Sequence, residues 1–95
     1  MQFRDDDIVI PVLIWTEANY ERAVALSDDE MPKTFAEWQE KVRIIKRSVP
    51  PGAIIIDIEA DPDEVAAWCR ANGRQVTTQD RAAFAADTFR RNHGV

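Results

Sequence analysis

Gly52-Ala53-Ile54-Ile55-Ile56-Asp57-Ile58-Glu59-Ala60-Asp61-Pro62-Asp63-Glu64-Val65-Ala66-Ala67-Trp68-Cys69-Arg70-Ala71-Asn72 sets the fold class of this chain. A β-branched run ends at Glu59, and a helix-start signal follows within two residues. Asp61 is a capping residue, Pro62 falls at the first helical position where its missing N–H is harmless, and Glu64 completes the pattern of a capping box. The segment therefore reads as a strand running into a helix, the unit from which α/β domains are built. Asn72-Gly73 closes the helix as a left-handed cap.

Working back towards the N-terminus, Pro50-Pro51-Gly52 stops a preceding helix and turns the chain into this strand. That helix opens at Thr34-Phe35-Ala36-Glu37, a second capping-box pattern. Phe35, Trp38, Val42 and Ile45 are spaced by three, four and three, which lays them on one stripe. Before it, Ser27-Asp28-Asp29-Glu30-Met31-Pro32 reads as a polar loop. Thr16 caps an earlier helix carrying Tyr20, Ala23, Val24 and Leu26. The apolar run Ile8-Val9-Ile10-Pro11-Val12-Leu13-Ile14-Trp15 is a strand expected to be covered on both faces, with Pro11 pushing it towards a sheet edge or a bulge.

Towards the C-terminus, Arg74-Gln75-Val76 is a short edge strand or a connector. Thr77 or Thr78 then caps a last helix bearing Ala82, Ala85, Ala86 and Phe89. The order is β-α-α-β-α-α, an α/β single domain spanning 1–95, with 1–7 and 91–95 expected to be mobile. The two main strands are expected to run parallel through a right-handed crossover. A two-stranded sheet is marginal alone, so the expectation is that dimerisation completes it, most simply as a homodimer with a continuous sheet.

The apolar first strand, the Met31-Pro32-Lys33-Thr34-Phe35 helix start and the Asp61-Pro62-Asp63-Glu64 unit followed by Trp68-Cys69 resemble a family of small, uncharacterised bacterial α/β proteins. The resemblance spans most of the chain and implies the fold alone, because no activity goes with that family.

Hydrophobic residues make up 45% of the 95 and charged ones 31%, ordinary for a globular chain. No apolar run reaches the roughly 20 residues of a membrane helix, and Met1 to Asp7 lacks signal-peptide chemistry, so a soluble cytoplasmic protein is expected. The net charge of −5 is uneven: residues 1–69 hold 7 Lys+Arg against 15 Asp+Glu, and residues 70–95 hold 5 Arg against 2 Asp. Such an acidic face repels nucleic acid and favours basic partners, or simply keeps a small domain soluble.

Cys69 and His93 are the only residues that could form a nucleophile–base pair, and one cysteine with one histidine leaves transition metals without ligands. No catalytic constellation, cofactor or metal site is expected. Asp57, Glu59 and Asp61 alternate by two near the C-terminal end of the second strand, where α/β ligands bind, and could hold Mg²⁺; alternatively Asp61 and Glu64 cap, Asp63 complements the helix dipole, and Asp57 and Glu59 are solvated. The last two helices faintly suggest a helix-turn-helix with Arg70, Arg74, Arg81, Arg90 and Arg91 available for phosphate contacts and Gln79 or Arg81 for bases. The leading expectation is a non-enzymatic interaction protein. Its partner surface is read as Asp28, Asp29, Glu30, Asp57, Glu59, Asp61 and Asp63, with Trp15 either a core residue or a partner anchor. A carboxylate enzyme is the second reading and a DNA-binding regulator the third.

Overall fold

In a computed structural model, described over residues 7–92, the chain forms the expected order. The elements are β1 (Val9–Ile14), α1 (Glu17–Leu26), α2 (Phe35–Arg47), β2 (Ile54–Glu59), α3 (Pro62–Ala71) and α4 (Thr78–Asn92). His93 lies outside the described residues, as do Met1 to Asp6. Arg74-Gln75-Val76 is a connector, not a strand. Among the described residues no helix is long and apolar enough to cross a membrane.

Local chemistry explains most boundaries. Thr16 and Asn19 make a reciprocal capping box at α1, Thr34 Oγ1 accepts from Glu37 N–H at 3.1 Å, and Asp61 Oδ1 accepts from Asp63 N–H at 2.8 Å. At Pro50-Pro51-Gly52-Ala53 the Ala53 N–H donates to the Pro50 carbonyl while Gly52 takes φ +84°, the proline-then-glycine placement of a type II turn. The end of α3 is a Schellman motif: Gly73 takes φ +68°, its N–H donates to Arg70, and the Arg74 N–H reaches the Cys69 carbonyl.

β1 and β2 pair in parallel, Val9 opposite Ile54 through Ile14 opposite Glu59. The Ile54 N–H donates to the Ile8 carbonyl at 2.8 Å. In a parallel ladder this fixes the alternation: Ile54, Ile56 and Ile58 turn their main-chain groups towards β1, and Ile55, Asp57 and Glu59 turn theirs away. On β1, Val9, Pro11 and Leu13 are the outward residues. Pro11 therefore costs the sheet no hydrogen bond, because its donorless nitrogen sits on the free edge.

The core is a single cluster of Trp15, Tyr20, Ala23, Val65, Ala66, Cys69, Val76 and Phe84, with Leu13, Trp38 and Trp68 packed against it. Helix α4 contacts both strands, α3 contacts α4 and α1, and α1 contacts α2. The last turn of α2 reaches the opposite sheet face, where Lys46 Nζ pairs with Asp57 Oδ1 at 2.8 Å.

Two expectations about packing are corrected. The strands are not covered on both faces: every β1 residue is half-buried, and in β2 only Ile58 is buried while Asp57 and Glu59 are exposed. Helix α4 buries Arg81, Phe84 and Ala85, with Ala82 exposed, so its inward stripe is rotated from the alanine stripe read from the sequence. An aromatic at Phe84 buries far more apolar area than the methyls of Ala82 and Ala86, and the helix turns to seat it edge-on against Trp68 at 5.7 Å.

Candidate functional site

Helix α2 carries the sharpest apolar stripe in the chain, yet none of its residues is buried. Phe35 and Trp38 stack at 5.5 Å and both meet Tyr20 at 5.8 Å, which ties the first turns of α2 to α1. Beyond that aromatic knot the stripe stands off the fold. Ile45 is 53% exposed and neighbouring Ile44 52%. Between this stripe, the β1 segment Ile10–Leu13 and the start of α4 lies a groove of about 320 Å³. Val42 and Ile45 form one wall, Met31 and Pro32 one end, and Ala82 the far wall; Glu30 and Lys41 supply charge of both signs.

One end of the groove is fixed by a polar clasp that sequence reading does not foresee. Arg81 is the one buried charged residue among those described. Its guanidinium forks onto Asp29, Nη1 to Oδ1 at 2.9 Å and Nη2 to Oδ2 at 3.2 Å. It also donates to Ser27 Oγ, Thr78 Oγ1 and the Val76 carbonyl. Asp29 in turn accepts from the Thr78 N–H at 2.8 Å and the Thr78 hydroxyl at 2.9 Å, so it serves as the anion at the N-terminus of α4. Burial pushes the Asp29 carboxyl up, but the Arg81 and Thr78 hydrogen bonds and the Arg81 charge together outweigh it and hold the group below its ordinary range. Next door, Asp28 Oδ2 accepts from the Val76 N–H at 2.7 Å while the Asp28 N–H donates to the Val76 carbonyl at 2.8 Å.

The acidic residues picked out from the sequence therefore scatter into different duties. Asp28 and Asp29 bind the 27–31 loop to the α3–α4 connector, and Glu30 is exposed at the groove. Asp57 pairs with Lys46 on the sheet face, Asp61 caps α3, and Asp63 pairs across to Arg22 at 2.8 Å on the surface. Arg22 holds the Asp63 carboxyl low. Glu59 lies beside Glu64, Trp68 and Arg91 in a separate polar hollow of about 300 Å³. Trp15 is buried in the core and also lines the groove.

The geometry bears on the rival readings as well. Among the described residues no three His, Cys, Asp or Glu side chains converge as metal ligands. Cys69 is fully buried, and burial first, then the Asp80 charge, pushes its thiol up, away from the reactive thiolate. Of the arginines proposed for phosphates, Arg81 is enclosed, Arg74 pairs with Asp80 and lies over the Trp68 ring, Arg90 and Arg91 pair with Asp87, and Arg70 is exposed.

Arg81 left one signal in the sequence. A cation in the first turn of a helix opposes the dipole and calls for a nearby carboxylate; only the loop's path shows that Asp29 supplies it. Comparison with protein-family models, with curated proteins and with solved structures returns no match to this chain.

Proposed function

We propose that this chain is a protein-interaction domain whose partner seats apolar side chains in the groove between α2, β1 and α4. The observation that carries the reading is that α2, a strongly amphipathic helix, buries none of its residues. An apolar stripe left half in water is an unmet contact, worth about 25 cal/mol for each Å² later covered. The rim favours a partner with a basic residue opposite Glu30, in keeping with the excess of acidic groups over residues 1–69. In this reading Asp28 and Asp29 act indirectly: they hold the loop that shapes one end of the groove.

The test is affinity capture from lysate of the source cells with the wild-type chain, with Ile45→Glu, and with Glu30→Lys. Ile45 is exposed, so its replacement leaves the fold intact. A stoichiometric protein that is bound by the wild type, lost with Ile45→Glu and weakened with Glu30→Lys supports the proposal. Equal capture by wild type and Ile45→Glu overturns it.

A further inference from the structure

The two edges of the sheet are chemically unlike. On β1 the outward residue at the centre is Pro11, which offers a carbonyl and no donor, so an added strand would lose a hydrogen bond at its middle. On β2 the outward residues are Ile55, Asp57 and Glu59, each with both an N–H and a carbonyl, and no described strand pairs along them. Ile54, Ile55 and Ile56 are all half-exposed beside this open edge. Proteins ordinarily blunt such an edge with proline, charge or a covering element; β2 has no proline, no described strand covers it, and its charges are Asp57, paired with Lys46, and Glu59.

We infer that β2 pairs antiparallel with β2 of a second copy, around a two-fold axis at Ile56, to give a four-stranded sheet in the order β1-β2-β2-β1. The register follows from the side chains. Outward residues must face outward residues, so the axis passes through a residue, and within Ile54–Glu59 only an axis at Ile56 or Asp57 pairs five of the six residues. An axis at Asp57 sets two carboxylates directly opposite each other, the arrangement that destabilises a strand pair. An axis at Ile56 instead sets Asp57 opposite Ile55 of the other copy, with four main-chain hydrogen bonds around the axis. Ile54, Ile56 and Ile58 then face Ile58, Ile56 and Ile54 on one sheet face, an unbroken isoleucine ladder. The two Asp57 side chains become diagonal neighbours roughly 7–8 Å apart, and each already has the Lys46 ammonium of its own chain at 2.8 Å to offset the repulsion. The strand is thus complementary to itself, which a two-fold interface requires.

This inference deepens the interaction reading by naming one partner as the chain itself, and it uses an edge separate from the α2 groove. Sedimentation equilibrium and light scattering of the wild type are expected to give twice the 10.8 kDa chain mass. Ile56→Lys, at a half-exposed position, should halve that mass with an unchanged far-UV circular dichroism spectrum. Ile56→Cys reports the register without adding charge: the two thiols face each other at the axis and should give a covalent dimer on mild oxidation. Ile55→Cys alone should not, because its opposite number is Asp57. A wild-type chain that stays monomeric at 100 μM, a dimer indifferent to Ile56→Lys, or equal cross-linking of the two cysteine variants overturns the inference. Ile45→Glu should leave the dimer mass unchanged while losing the captured partner, so the two proposals fail separately.

Discussion

Arg81 is the residue on which the C-terminal half depends. Its two terminal nitrogens make five contacts, to Asp29, Ser27, Thr78 and the Val76 carbonyl, and removing it would strand Asp29 beside a helix start with its main counter-charge gone. Breaking one side of a buried, hydrogen-bonded pair costs about 3 kcal/mol, so Arg81→Ala should lower the urea midpoint sharply at neutral pH. The Asp29 carboxyl adds a pH signature. Its folded pKa lies below the unfolded value of about 3.9, so its stabilisation is fully present above that value and is lost as pH falls through the lower folded one. Asp63 and Asp80 are also held low, Asp63 by Arg22 and Asp80 first by the Thr77 hydroxyl, and contribute in the same direction. Urea melts between pH 2 and pH 6 should therefore show stability falling on acidification, less steeply in Asp29→Asn. Cys69 gives the opposite kind of test: its enclosed thiol should react with a disulfide reagent only on unfolding, and reaction at native rates would contradict the packing.

At the scale of elements, the chain's punctuation was legible and its burial was not. Thr16, Thr34, Asp61, the Pro50-Pro51-Gly52 turn and Gly73 all act where their local chemistry predicts, because a cap or a turn is decided by a few neighbouring residues. Gly73→Ala should cost about 1 kcal/mol from backbone strain alone, since a Cβ there meets nothing within 4 Å; a thermal melt reads it. Burial depends instead on what lies across the fold. The spacing of Phe35, Trp38, Val42 and Ile45 marks a helix with an apolar stripe but says nothing of whether the protein fills the space beside it. The carboxylates show the same limit: Asp28 and Asp29 look like a surface patch until Val76, Thr78 and Arg81, about 50 positions on, are brought against them. A paired comparison makes the point measurable. Val65→Ala, at 1% exposure, should lose roughly 2 kcal/mol, whereas Ile45→Glu should change stability by no more than about 0.5 kcal/mol despite being the more drastic chemical change.

For the whole molecule, the asymmetry between the strands has a consequence for how copies can associate. In the language of polymer chemistry, a unit with two reactive ends grows into a fibre, and a unit with one reactive end couples once and stops. A β-sheet of two strands is formally the first kind. On the pairing proposed above, Pro11, at one of the three outward positions of β1 where a proline harms no internal bond, would make this domain the second kind: a monofunctional building block whose self-association ends at a pair. Restoring the donor by Pro11→Val would give the sheet a second valence. The expected result is growth beyond the pair at high concentration, seen as a rising weight-average mass in light scattering, and a mass that stays at two chains would show that α2 and α4, not the proline, guard that edge.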